Sequence, residues 1–170
     1  APVEQLDLWM TGPADCAARL HVAAREADLI LVEGVMGLFD GEDCVADLAQ
    51  RFGMPVLAVV DAGAMGGTLG AIVHGLRHYR EGLPWAGVLA NRVAGERHAD
   101  MLRAGLRDDA DWLGALPRLA LGDDARAPLL PERHLGLVAA HELGDALQRL
   151  DAAADALAAT PLGQMEADDL

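Results

Sequence analysis

Leu29-Ile30-Leu31-Val32-Glu33-Gly34-Val35-Met36-Gly37-Leu38-Phe39-Asp40-Gly41 runs from four consecutive aliphatic residues straight into a carboxylate, and then into a loop with glycine at every third or fourth place. An unbroken apolar run of strand length reads as a strand covered on both faces, the habit of parallel sheets. Ligands bind open α/β sheets at the C-terminal ends of their strands, where this reading puts Glu33. A carboxylate there can hold Mg²⁺, directly or through water, against a nucleotide phosphate. Gly34, Gly37 and Gly41 let backbone approach a ligand and adopt turns closed to other residues. Asp40 follows Glu33 by seven residues, so the loop can return a second carboxylate to the same pocket. The same residues also allow a plainer account, in which Glu33 caps a neighbouring helix and Asp40 makes a turn.

Outward from this stretch, further apolar runs at 56–60, 88–90 and 112–116 predict strands, again buried on both faces. Between the runs, 14–27, 44–53, 67–80 and 95–107 carry apolar residues at helical spacing, as in Met101, Leu102 and Leu106. The alternation is that of βαβ crossovers, and it predicts an α/β fold: a parallel sheet with helices on both faces. A last helix is expected over 141–159, with Leu143, Ala146, Leu147, Leu150 and Ala154 in one stripe against the sheet. Residues 1–160 read as one domain without internal repeats. Residues 161–170 are polar and acidic, and read as a tail or linker.

Composition excludes several activities. The 170 residues are 52% hydrophobic, enough for a core of ordinary size, and carry a formal charge of −14. Such a field repels polyanions, so nucleic acid is not an expected partner. All 13 basic side chains are Arg, and the chain has neither Lys nor Ser. A Walker A loop, a lysine Schiff base and a Ser-His-Asp hydrolase therefore cannot be complete within it. Cys16 and Cys44 form neither a C-x-x-C pair nor a disulfide framework, which points to a reducing, cytoplasmic compartment. No window is long and apolar enough to span a bilayer, so no membrane partner is expected.

Residues 33–41, Glu-Gly-Val-Met-Gly-Leu-Phe-Asp-Gly, resemble the signature of cobyrinic acid (hydrogenobyrinic acid) a,c-diamide synthases. Other pieces agree in order. Residues 6–10 resemble the segment after that family's first substrate loop, 55–61 its buried strand ending in Val-Asp, and 87–93 its Gly-Val-x-x-Asn-Arg-Val. Residues 114–118 resemble its Gly-x-Leu-Pro-Arg, and 130–138, Leu-Pro-Glu-Arg-His-Leu-Gly-Leu-Val, are the second specific match.

The resemblance implies the later part of an N-terminal ATPase-like domain with the P-loop NTPase, dethiobiotin synthetase-like fold, truncated at its N-terminus. It also implies ATP and Mg²⁺ as cofactors. ATP would activate the c and then the a carboxylate of a corrin, and ammonia from a glutaminase domain of the same parent chain would complete each amide. Residue by residue, Glu33 matches the Mg²⁺ and ATP carboxylate, and Asp40 the acid of the Leu-Phe-Asp-Gly loop; Asp61, ending its strand, is a third candidate for the metal shell. Asn91 matches the position that reads the adenine edge in related synthetases, although its place also suits a helix cap. Arg92 is a phosphate or substrate contact or a salt-bridge partner, and Pro117 lines the adenine slot or makes a turn. Arg133 and His134 would meet corrin carboxylates.

The loop at 61–68, Asp-Ala-Gly-Ala-Met-Gly-Gly-Thr, departs from the family pattern, which tends to carry Ser or Arg there; Thr68 is a substitute hydroxyl or a helix N-cap. The phosphate-gripping Lys and an Asp-containing substrate loop would precede Ala1, and the glutaminase residues would follow Leu170. The chain alone is therefore expected not to turn over ATP. With a neighbouring strand missing, free sheet edges would favour pairing with a second copy, and a homodimer is among the expected partners. Cobyric acid synthase and the nickel-sirohydrochlorin a,c-diamide synthase are near alternatives, and a ParA-like nucleotide switch is one of a different class.

Overall fold

The computed structural model describes residues 3–118 and 145–166. Described residues fall into two compact units: 3–56, 76–85 and 166 in one, and 57–75, 86–118 and 145–165 in the other.

In the first unit, helix α1 (Gly12–Glu26) begins with proline in its first turn, where the missing N–H is not needed. It buries Cys16 completely. Helix α2 (Val45–Phe52) buries Ala46, Leu48 and Ala49 and ends on Gly53, whose left-handed φ of 67° supplies the C-cap. Cys44, Ala46, Ala49 and Leu83 form the unit's core, against which Leu38, Phe39 and Val56 pack.

The run at 29–32 is not a strand. It has no regular structure, and Leu31 is 84% exposed. Aliphatic residues favour strand geometry, but a strand persists only when its backbone groups find a ladder, and no described segment pairs with this one.

Strands β1 (Val56–Asp61), β2 (Trp85–Val93) and β3 (Trp112–Pro117), all but Val56 and Trp85 within the second unit, form a three-stranded parallel sheet in the order β1-β2-β3. Helices α3 (Thr68–His78) and α4 (Glu96–Arg103) make the crossovers. The predicted α/β architecture is therefore present. The central strand is the one covered on both faces, with Val88, Leu89 and Ala90 at most 4% exposed. β1 departs from expectation: its burial alternates, leaving Leu57 and Val59 on an open face. Leu69 and Val73 of α3 and Leu102 of α4 are fully buried or nearly so, each contributing about 1.5–3 kcal/mol.

Backbone meets backbone where α3 starts. A Cβ at Gly70 would collide with the Gly105 carbonyl, and one at Gly105 would lie 2.8 Å from Gly67 Cα. Three glycines thus let two chain segments touch directly.

Helix α5 (Ala146–Ala158) packs on β3 but buries no residue. Leu147 is 78% and Leu150 50% exposed, so the expected stripe does not seat on the sheet. The predicted start of that helix, at 141–144, lies outside the described residues. Thr160 is buried against Gly114, and Leu162–Gln164 closes a 3-10 turn.

Candidate functional site

The loop at 33–41 is built around two anchors. Leu38 and Phe39 turn into the core of the first unit, and the Phe39 ring lies 4.8 Å from Tyr79, centroid to centroid. The Arg80 guanidinium sits 5.7 Å above that ring, a cation–π contact. Arg80 also donates to Asp47 Oδ1 at 2.6 Å, while Asp47 Oδ2 accepts the Cys44 N–H at 2.8 Å and its thiol at 3.0 Å. Hydrogen bonding from Cys44 and then Arg80 holds the Asp47 carboxyl below the usual range. Charge therefore pins the first turn of α2, and the aromatic pair pins the loop that precedes it.

Between these anchors Asp40 is left exposed. Its N–H donates to the Gly37 carbonyl at 3.0 Å, and its carboxylate folds back over Gly37 so closely that any Cβ there would strike it. Gly34 is constrained in a similar way, since a Cβ would lie 2.9 Å from Val45 Cγ2. Gly41 and Asp43, with φ of 89° and 54°, then turn the chain into α2. Glu33 is exposed on the segment leading into this turn. Glu33 and Asp40 are hard oxygen donors of the kind Mg²⁺ takes one or two at a time, the remaining positions going to water and phosphate. Among the described residues no three His, Cys, Asp or Glu side chains converge on a common metal position.

The other candidates lie in the second unit, at the C-terminal edge of its sheet. Asp61 ends β1; its Oδ1 accepts the Gly63 N–H at 2.9 Å, and its Oδ2 faces Arg92 Nη1 at 3.3 Å. Asn91 and Arg92 stand near the end of β2. The Asn91 side-chain oxygen accepts the Arg92 N–H at 2.8 Å, and its backbone carbonyl accepts from Ala62. Among the described residues its amide NH₂ keeps donor capacity for a ligand, while the oxygen is committed to backbone. Arg92 itself is left-handed, with φ of 61°, a conformation that disfavours residues other than glycine by about 1–2 kcal/mol. Pro117 ends β3 beside Val93. Arg133 and His134 lie outside the described residues.

Three further residues at this edge are not marked by any sequence signal. Arg118 follows Pro117; its N–H donates to the Val93 carbonyl at 3.1 Å, and its Nη2 reaches the Gly63 carbonyl at 3.5 Å. The motif Gly-x-Leu-Pro-Arg contains this arginine, yet nothing in its spacing announces which loop it faces. His98 ties the loops after β1 and β2: Nδ1 accepts the Ala94 N–H at 3.1 Å, so Nε2 carries the proton and donates to the Met65 carbonyl at 2.7 Å. Gly63 leaves the space into which Arg118 and Asp61 point.

No family model and no solved structure matches the chain. Curated proteins do. It is 58% identical over 157 residues to the hydrogenobyrinate a,c-diamide synthase of Stutzerimonas stutzeri, covering 92% of this chain and 35% of that protein. Against the enzyme of the same name from Pseudomonas aeruginosa the identity is 56% over 160 residues, 94% of this chain and 35% of the relative. Against the cobyrinate a,c-diamide synthase of Herminiimonas arsenicoxydans it is 47% over 155 residues, 91% and 33% respectively. The chain spans about a third of the length of these relatives. The resemblance carried by 33–41 and 130–138 thus extends over almost the whole chain, which is homologous to a segment of the cobyrinate and hydrogenobyrinate a,c-diamide synthases.

Proposed function

We propose that this chain is a segment of an ATP-dependent, glutamine-using amidoligase of cobalamin biosynthesis, which amidates the a and c side-chain carboxylates of hydrogenobyrinate. The observation that carries this reading is the 58% identity to a hydrogenobyrinate a,c-diamide synthase over 92% of the chain. Hydrogenobyrinate is preferred to cobyrinate because the relatives at 58% and 56% identity bear that name, against 47% for the cobyrinate enzyme.

In this reading Glu33 and Asp40 are the acids assigned to Mg²⁺ from the sequence, and, at the end of the three-stranded sheet, the amide donors of Asn91 are assigned to the adenine edge beside Pro117. ATP, when bound, supplies the phosphoryl group that activates the ring carboxylate. Attack of one anion on another is opposed by charge, so oriented cations and donors govern its rate. Arg92 is assigned to offset that repulsion, and Arg133 and His134 to the substrate, from the sequence. Ammonia is assigned to a glutaminase domain of the parent protein. The cytoplasm is the proposed compartment; among the described residues no helix is long and apolar enough to cross a membrane.

Calorimetric titration with Mg²⁺ and a non-hydrolysable ATP analogue tests the nucleotide half of this reading. Saturable binding weakened about tenfold or more by Glu33→Gln and by Asn91→Ala is expected, the scale of a lost charge-assisted contact. A well-folded chain whose nucleotide affinity ignores both substitutions contradicts it.

A further inference from the structure

Around Gly63 three strand ends converge. A Cβ built on this glycine would lie 3.0 Å from Arg118 Nη2, 3.1 Å from Asp61 Oδ1 and 3.4 Å from the Arg92 carbonyl oxygen. Arg92 in turn reaches Asp61 Oδ2 with its own guanidinium. The cluster therefore brings two guanidinium groups and one carboxylate together, an excess of one positive charge in a chain whose formal charge is −14.

Neither arginine is deeply engaged. The Arg92 side chain is 56% exposed and that of Asp61 59%, and their contact is a single 3.3 Å approach rather than a two-pronged pair. The side-chain contact of Arg118 within the described residues is the 3.5 Å approach to the Gly63 carbonyl, at the limit of a hydrogen bond. A guanidinium offers five N–H donors in a fork that matches a carboxylate or a phosphate, and among the described residues most of that capacity is unspent. Arg92 is also held in the left-handed region by the Asn91 side chain, and strain at a charged residue beside an open strand end is where ligand contacts concentrate.

We propose that Arg118 and Arg92 form an oxyanion-binding pair over Gly63, and that Asp61 is their internal counter-ion, displaced when a ligand carboxylate or phosphate enters. Arg118 comes from the end of β3 and Arg92 from the end of β2, so the pair is set by strand register rather than by a flexible loop. Gly63 leaves the floor open; any larger residue would occupy the anion's place. The inference rests on the reading of this sheet edge as a ligand site, and names the residue that receives the ligand's anionic group.

The test is calorimetry on the full chain at low ionic strength without divalent metal, using tripolyphosphate and tricarballylate as probes. Binding of at least one probe is expected, and the tighter one identifies the source of the anion as phosphate or carboxylate. Arg118→Gln is expected to weaken it about tenfold or more, and Arg118→Lys to weaken it less, since charge survives without the fork. Asp61→Asn is expected to tighten binding several-fold by removing the competitor, whereas a structural role for Asp61 would loosen it. Arg107→Gln, an exposed arginine elsewhere, is expected to leave binding unchanged. Binding that ignores Arg118, falls equally with Arg107→Gln, or weakens in Asp61→Asn overturns the proposal, as does the absence of binding by either probe. Loss of the Glu33 dependence of Mg²⁺-nucleotide binding, with Arg118 dependence intact, would sink the nucleotide reading and leave this pair standing.

Discussion

Asp61 and Arg92 face each other across the ends of two neighbouring parallel strands, Oδ2 to Nη1 at 3.3 Å. The pair is solvent-exposed on both sides, and exposed ion pairs contribute about 0–1 kcal/mol. Asp61→Asn is therefore expected to shift unfolding free energy by less than about 1 kcal/mol, measured by urea denaturation, even as it alters anion affinity. A loss of several kcal/mol would make Asp61 a structural keystone instead.

Two glycines of α3 give opposite expectations. A Cβ at Gly70 collides with the Gly105 carbonyl, while one at Gly75 meets nothing within 4 Å. Gly70→Ala should destabilise by about 1–3 kcal/mol or more, because backbone must move. Gly75→Ala should stabilise by about 0.5–1 kcal/mol, the helix-propensity difference. Equal effects of the two changes in a denaturation series would refute the close crossing of α3 and the chain at 105.

These glycines also mark the boundary of what was legible in the sequence. Helices α1 to α4 follow from apolar spacing, and β1 to β3 from apolar runs, because burial of one stripe or one face is what a periodic pattern encodes. Residues 29–32 carry the same apolar signal and yet form no strand, since composition encodes a wish for burial but not the partner that supplies the ladder. Likewise the α5 stripe at Leu147 and Leu150 is periodic but uncovered. Glu33, Asp40, Asp61, Asn91 and Arg92 could be named as candidates from the sequence, by their places after apolar runs or in the glycine-punctuated loop. Arg118, Gly63 and His98 were not, because each matters through a residue more than 30 positions away.

Acid should weaken the fold through identifiable carboxylates. Asp47 has its pKa lowered by hydrogen bonding from Cys44 and then Arg80, and Asp109 and Asp145 have theirs lowered by bonds from Arg103 and Arg149. A depressed folded-state pKa means that the ionised form is favoured in the fold. The contribution is complete above the ordinary aspartate pKa of 3.8 and is lost as pH falls through the lower folded value. Thermal midpoints measured from pH 7 downward should hold until the carboxylate range and then drop, and Asp47→Asn should flatten that drop. An unchanged profile in Asp47→Asn would show that its pairing with Cys44 and Arg80 is not what acid disrupts.

His98 joins the Ala94 N–H to the Met65 carbonyl through one ring. His98→Ala removes both contacts, and each neutral hydrogen bond is worth about 0.5–1.5 kcal/mol. Faster amide exchange at Ala94 is expected, with a loss of about 1–3 kcal/mol in stability. His98→Gln should recover part of the protection. Exchange at Ala94 that stays slow in His98→Ala would show that the two loops hold their positions without the imidazole.

The proposed role, that of the homologous segment of a hydrogenobyrinate a,c-diamide synthase, is tested by exchange. The matching 157 residues of the Stutzerimonas stutzeri enzyme would be replaced by this sequence, and formation of the a,c-diamide from hydrogenobyrinate, glutamine and Mg²⁺-ATP followed by mass. A chimera that forms the diamide, and whose kcat falls about 10²–10³-fold in Glu33→Gln without loss of folding, is the expected result. A folded chimera that forms no diamide, or one whose rate is indifferent to Glu33, would contradict the account.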